Sequence, residues 1–208
     1  MSSRAPWTEA AERRRLIVEA ALPVFASHSY SGATTTDVAR AARVAQATIY
    51  KHFPTKRDLF LAVLDRTTDL VLERWQQAME GAPTPLDRLV ALVRTYAMMA
   101  ATDHLAFRVR VRAVAESGDP VIATHARASY LRIVEFLRDV IEEARAAGQT
   151  PPDLDPARAA WYLLSVGQGF NLNHYVGLSW DPATIDGLIA YVFRGLGVEL
   201  APDRPPAP

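Results

Sequence analysis

Between positions 46 and 56 the chain sets out side chains suited to reading nucleic acid. Gln46 can bond an adenine edge, and Thr48 can reach a phosphate or a thymine methyl. Lys51 and His52 can reach a guanine or a phosphate, and the Tyr50 hydroxyl can reach a phosphate while its ring leans on the protein. Lys56 falls at a helix start, where backbone N–H groups already favour an anion. Thr34, Thr35 and Ala47 complete the expected contact surface. The same residues offer no catalytic pattern: there is no nucleophile elbow, no P-loop and no dinucleotide fingerprint. The acidic–basic pairs elsewhere, such as Glu142 and Glu143 with Arg145, read as solvated helix pairs. A non-enzyme is expected, with a helical enzyme as the competing class.

The flanking residues say how that surface is held. Thr34 followed by Asp37 is a capping pair that starts one short helix, and Val38, Ala39 and Ala42 would face inward. Arg43-Val44-Ala45 makes a turn, Gln46–Phe53 forms a second short helix with Ile49 and Phe53 pointing back, and Pro54 stops it. Thr55 and Asp58 repeat the cap and start a third helix. Two short helices and a tight turn are the helix-turn-helix layout, whose second helix enters the major groove. An ordinary helical hairpin with a polar outer face would show the same caps; the aromatic–basic cluster favours DNA.

This stretch resembles the DNA-binding domain of TetR-type (tetracycline-repressor-like) transcriptional regulators. The likeness is carried by Val44, by Thr48-Ile49-Tyr50-Lys51-His52-Phe53 and by Thr55-Lys56, and it covers about 50 residues. Two departures bear on stability. Arg43 stands where the family usually has glycine, which costs roughly 1–2 kcal/mol if the turn is left-handed. Ala45 replaces the usual serine cap, a loss of about 1 kcal/mol. Ala47 also replaces a common glycine, harmlessly.

The remainder reads as helix almost throughout, an all-α chain of about nine helices with a three-helix head and a helical-bundle body. Residues 1–57 are expected to be the helix-turn-helix domain, 58–200 the ligand-binding and dimerisation domain, and 201–208 a disordered tail. The first helix, Glu9–His28, carries Leu16, Ile17, Ala20, Ala21, Val24 and Phe25 on one face, with Pro23 inside the pattern. Longer helices follow over about 56–80, 86–101, 103–116, 120–148, 156–176 and 182–196. The segment FRVRVRAV alternates as a strand would, yet it lies between strong helices and no partner strand is evident, so helix is expected.

The 208 residues are half apolar, enough for a well-buried core. Net charge is zero but unevenly spread: residues 1–57 hold nine of the 23 Lys/Arg and four of the 23 Asp/Glu, leaving 14 and 19 for the rest. A basic head on an acidic body suits DNA binding. There is no cysteine, which excludes disulfides and thiolate metal sites. No leader-like run opens the chain and no stretch of about 20 apolar residues occurs. A cytoplasmic protein with no membrane association is expected.

The resemblance implies an effector pocket among the fifth to seventh helices and pairing of the last two helices with a second copy. Tyr96, Met99, Phe107, Arg110, His125, Trp161 and Asn171 are the candidate pocket residues, although at helical spacing such residues are more often core. His104, His125 and His174 include no pair at i, i+4, so no metal or other cofactor is expected. Gly167 and Gly169 inside a helix suggest close approach of another helix. With Leu188, Val192 and Phe193 of the terminal apolar stripe, they form the expected interface of a homodimer. The expected function is a DNA-binding regulator, a repressor released from a palindromic double-stranded operator by a small apolar organic effector. The alternative is a ligand-independent DNA-binding regulator.

Overall fold

A computed structural model describes residues 6–102, 104–178 and 180–200. The described residues form nine α-helices and no strand: α1 (Pro6–Ser27), α2 (Thr35–Ala42), α3 (Gln46–His52), α4 (Lys56–Met79), α5 (Pro85–Thr102), α6 (His104–Ala115), α7 (Pro120–Ala146), α8 (Pro156–Tyr175) and α9 (Pro182–Gly195). The expected tail at 201–208 lies outside them, as do the side chains of His104 and His174.

Local chemistry sets the boundaries. The Thr55 N–H donates to Asp58 Oδ2 (3.0 Å) and the Asp58 N–H to Thr55 Oγ1 (3.1 Å), a reciprocal capping box that starts α4. Asp181 caps α9 through the Thr184 N–H at 2.8 Å. At the end of α7 Gly148 takes φ +68°, and the Gln149 N–H reaches back to Ala144 O at 3.0 Å, closing the helix as a glycine C-cap does. Pro23 sits within α1 without ending it. The buried face of α1 is Ile17, Val18, Ala21, Leu22, Phe25 and Ala26. That is one position round from the expected stripe and leaves Leu16 exposed. The strand-like alternation in α6 is likewise overridden. Ala106, Val109, Arg110 and Ala113 are buried at three- and four-residue spacing, the period of a helix face.

The chain divides into two compact units. One runs to Asp69 and includes Leu105–Ser129; the other holds Leu70–His104 and Tyr130 onward. Helices α4 and α7 therefore each contribute to both. In the first unit α1 packs on α2 and α2 on α3. Leu59, Phe60 and Val63 of α4 are buried, and Phe60 meets Phe25 and Tyr30 at ring separations of 5.1 and 5.0 Å. Polar ties join α4 to the later segment of the same unit: Arg57 to Asp119 at 3.0 Å, Asp65 to His125 at 2.8 Å, and the Arg110 guanidinium to Thr68 Oγ1 at 2.9 Å. In the second unit α5 packs on α8 and α9. Its core includes Leu89, Leu92, Ile133, Leu137, Ile141, Ile189 and Phe193; full burial of one such side chain contributes about 1.5–3 kcal/mol.

Candidate functional site

Helix α2 is closed by the turn that the sequence marks as unusual. Arg43 adopts φ 55°, ψ 44°, the left-handed region, and is the one non-glycine at positive φ among the described residues. The Val44 N–H bonds Ala39 O (3.0 Å) and the Arg43 N–H bonds Arg40 O (3.2 Å), the paired bonds of a Schellman cap. The geometry is the one that favours glycine, and arginine occupies it. Ala45 leads into α3 with no side-chain cap bond, so α3 starts with one fewer satisfied donor than a serine would give.

Ile49 on α3 and Phe53 just after it are fully buried, which fixes the helix against the head. Gln46, Ala47, Tyr50 and Lys51 are exposed, while Thr48 and His52 are half-buried. Thr35, on α2, is buried and links two of them: it accepts from Gln46 Nε2 at 3.0 Å, and its hydroxyl lies 3.1 Å from the Tyr50 hydroxyl. Thr35 thus positions the outward side chains from beneath. Thr34 is committed to its cap, accepting from the Asp37 N–H (3.1 Å) and donating to Asp37 Oδ2 (2.6 Å). Burial first, then the charges of Lys51, Arg14 and Arg13, hold the His52 imidazole below its usual range, so it is neutral at neutral pH.

Lys56 is bonded within the head. Its ammonium donates to Tyr30 O (2.9 Å), Ala33 O (3.2 Å) and Ser31 O (3.3 Å), and sits 4.6 Å from the centre of the Tyr30 ring. An ammonium has three donors, and all three are spent on the loop after α1. Lys56 thus staples the start of α4 to the loop after α1. Conversely, Arg13 and Arg14 of α1 are exposed cations beside α3 that motif reasoning passed over. The Arg14 guanidinium lies 4.6 Å from the centre of the Phe53 ring. The run Arg13-Arg14-Arg15 was the available signal.

The second unit encloses a narrow apolar cavity of about 40 Å³, room for about three waters at roughly 10–15 Å³ each. Trp75, Leu92, Tyr96, Leu163, Gly167 and Phe170 are among its walls. Tyr96, expected at a pocket, lines it, and Asn171 donates to the Tyr96 hydroxyl at 2.7 Å. Met99 is buried in the same unit. Phe107, Arg110 and His125 belong to the first unit instead, because α6 and the start of α7 pack there. Trp161 is about half exposed on α8 and is not part of this cavity's lining.

The expected interface is corrected as well. Val192 and Phe193 are buried within the chain's own core, with the neighbouring Ile185, Ile189 and Leu196. The apolar stripe of α9 is covered by this chain's own body. Gly167 faces inward too: a Cβ there would meet Tyr96 Cε1 at 2.7 Å, so this glycine lets the Tyr96 ring lie on the α8 backbone. Gly169 is exposed and Leu188 half-buried. Among the residues exposed on α8 are Trp161, Ser165, Gly169 and Leu172, three or four residues apart along one face, with Val176 just beyond its end; among those exposed on α9 are Gly187, Ala190 and Tyr191.

Residues 17–63 match the model of the bacterial regulatory proteins of the tetR family, and residues 85–198, more than half of the chain, match the C-terminal domain of BetI-type transcriptional repressors. The chain belongs to the tetR family. It is 25% identical over 166 residues to the transcriptional regulator UidR of Escherichia coli K12, spanning 78% of this chain and 81% of that one. Two solved structures share its fold. FadR of Bacillus subtilis, in complex with stearoyl-CoA, superposes with a TM-score of 0.72 at 17% identity over 90% of this chain and 99% of that one. AibR, in complex with isovaleryl coenzyme A and operator DNA, does so with a TM-score of 0.66 at 21% identity over 87% and 98%. The all-α fold and the helix-turn-helix head are thus those of a DNA-binding transcriptional regulator. No helix among the described residues is long and apolar enough to cross a membrane.

Proposed function

We propose that this regulator is a cytoplasmic homodimeric repressor without catalytic activity. It binds a palindromic operator through α3 and is released when a small apolar organic effector enters the cavity of the second unit. The head, taken as residues 1–57, supplies the reading surface: Gln46, Ala47, Thr48, Tyr50, Lys51 and His52, with Thr35 behind them and Arg13 and Arg14 at the flank. The observation that carries the reading is the pair of bonds from Thr35 to Gln46 and Tyr50. They hold two exposed side chains in fixed directions, which pays off only when an external surface meets them.

The exposed face of α8 and α9 supports the dimer. Tyr191 is 67% exposed, Val176 63% and Leu172 55%. Small residues lie among them: Ser165 and Gly169 on α8, Gly187 and Ala190 on α9. Two copies of that face pack as a four-helix interface, isologous because it is one patch meeting itself, with total burial above about 1,200 Å².

The apolar lining of the cavity supports an effector with an apolar chain, and the solved structures of FadR and AibR, of the same fold, hold stearoyl-CoA and isovaleryl coenzyme A, molecules that carry such an acyl chain. Most such molecules need more room than about three waters occupy, so binding requires the walls to move. A ligand that binds one body conformation better than another shifts the balance between them. Helix α4, with Trp75 on the cavity and Leu59 and Phe60 in the first unit, is the continuous element through which that shift reaches the head. The test is a titration of the operator complex with medium- and long-chain acyl compounds, followed by anisotropy. Release by at least one class is expected. Affinity unchanged across all classes would point to a ligand-independent regulator.

A further inference from the structure

Three side chains of the head form a chain of hydrogen bonds with a fixed direction. Thr35 is 7% exposed, and its hydroxyl meets Gln46 on one side and Tyr50 on the other, at 3.0 and 3.1 Å. Gln46 Nε2 is an amide nitrogen and only donates, so Thr35 Oγ1 accepts there. A hydroxyl has a single proton to give. Among the described residues Thr35 has no third partner, so its proton goes to the Tyr50 oxygen. A buried donor left unanswered is destabilising, and that sets the direction. The Tyr50 proton is then left facing away from Thr35, on a side chain that is 48% exposed.

The two outer ends therefore offer different groups. Tyr50 offers a donor, and a phosphate oxygen is an acceptor. Gln46 has one N–H spent on Thr35, which leaves its carbonyl oxygen and its second N–H for an outside partner. That pair matches adenine, whose N6 amino group donates and whose N7 accepts. Guanine presents two acceptors, O6 and N7, and would set O6 against the Gln46 oxygen. Turning the amide over would free both N–H groups and suit guanine. It would also bring the Gln46 oxygen onto Thr35, draw the Thr35 proton to it, and leave Tyr50 to donate inward. The phosphate would then lose its donor. Adenine at Gln46 and a phosphate at Tyr50 thus favour the same arrangement, and one buried hydroxyl joins them.

We infer that Thr35 is a specificity-determining residue of the DNA-reading surface: from beneath Gln46 and Tyr50 it holds the Gln46 amide in the sense that reads adenine and rejects guanine while Tyr50 donates to a phosphate. The inference rests on the reading of α3 as the recognition helix, and deepens it by naming the base and the positioning residue that selects it. A two-point contact of this kind discriminates between the purines by about tenfold or more.

The probe is a palindromic duplex that the full-length wild-type protein selects from random DNA. Its positions are exchanged one at a time, and affinities are read by fluorescence anisotropy. The base whose preference disappears in Gln46→Ala is the one that Gln46 reads. There wild type should bind adenine at least about tenfold tighter than guanine, and tighter than purine, which lacks the amino group. Thr35→Ser keeps the hydroxyl and should preserve the ratio; Thr35→Val should bring it near one. Tyr50→Phe leaves the Thr35 proton no acceptor but the Gln46 oxygen, so the ratio should fall to about one or below, in favour of guanine. A contact that only braced the helix would weaken every duplex alike and leave the ratio intact. A wild-type preference for any base other than adenine at that position, or an adenine preference that survives Tyr50→Phe, would overturn the inference. Tyr50 is exposed, so this arm stands even if Thr35→Val folds poorly. If wild type binds selected and random DNA equally, the reading of α3 itself is refuted; if wild type is selective but Gln46→Ala relaxes no position, only the role of Thr35 is.

Discussion

At the residue scale, two positions carry opposite lessons. Arg43 stores strain: φ 55° is costly for a side chain with a Cβ. Arg43→Gly should stabilise the chain by about 1 kcal/mol, raising the melting temperature by about 2–4 °C. Ala45→Ser should add a comparable gain by supplying the missing cap. Calorimetric scans of the two single mutants and the double mutant check this. A fall in both singles would mean that Arg43 makes contacts worth more than its strain. Lys56 relieves strain of another kind, tying three loop carbonyls to one cation. Lys56→Met should cost about 1–3 kcal/mol of stability and leave the salt dependence of DNA binding as it is. Lys51→Ala should do the reverse, lowering the slope of log K against log salt by about one. Urea denaturation and binding across a salt series separate the two roles. A reduced slope for Lys56→Met would restore Lys56 to the phosphate backbone.

At the element scale, the starts and stops of the helices were written in the sequence. Thr34, Thr55 and Asp181 bond the very N–H groups that a cap should, and Gly148 takes the left-handed turn that ends α7. These are contacts within a few residues, and local chemistry is enough to foresee them. What could not be read is which neighbour each face meets. The α9 stripe was visibly apolar, but whether the chain's own body or a second copy covers it depends on packing far away in sequence; the body does. Lys56 reached carbonyls at Tyr30, Ser31 and Ala33 for the same reason. Phe107, Arg110 and His125 fell in the first unit because α6 and the start of α7 fold back there. Asp119 is the polar hinge of that return: one oxygen caps α7 through the Val121 N–H at 2.8 Å and the other accepts from Arg57 at 3.0 Å. The Arg57 bond first, and the backbone bonds after it, hold the Asp119 carboxyl below its usual range. A carboxyl whose folded pKa is depressed stabilises the fold above its normal value near 3.8 and loses that contribution as pH falls from there through the folded pKa. Asp119→Asn should therefore be less stable than wild type at pH 7, with the gap closing as pH falls below the usual carboxylate range and through the depressed folded pKa. Parallel curves for the two chains in denaturant titrations across that range would show that the ion pair contributes nothing.

At the scale of the whole molecule, the proposed dimer rests on the exposed face of α8 and α9, which would set whether two heads can meet one operator. Tyr191→Glu or Leu172→Glu should yield a folded monomer that loses operator binding, because each charge falls in the face proposed to pair with a second copy. Val192→Asp should unfold the chain rather than dissociate it, since Val192 is core. Light scattering with circular dichroism distinguishes these outcomes; a folded monomer from Val192→Asp would return the interface to the α9 stripe. The central claim is that α3, paired through that face, reads a two-fold DNA sequence. Its most direct test is the ratio of affinities for a palindrome selected from random DNA and for the same bases scrambled, measured at about 150 mM salt. A ratio of at least about 10³ is predicted, with half-sites about one helical turn apart or a multiple of it. A ratio near one would contradict the account.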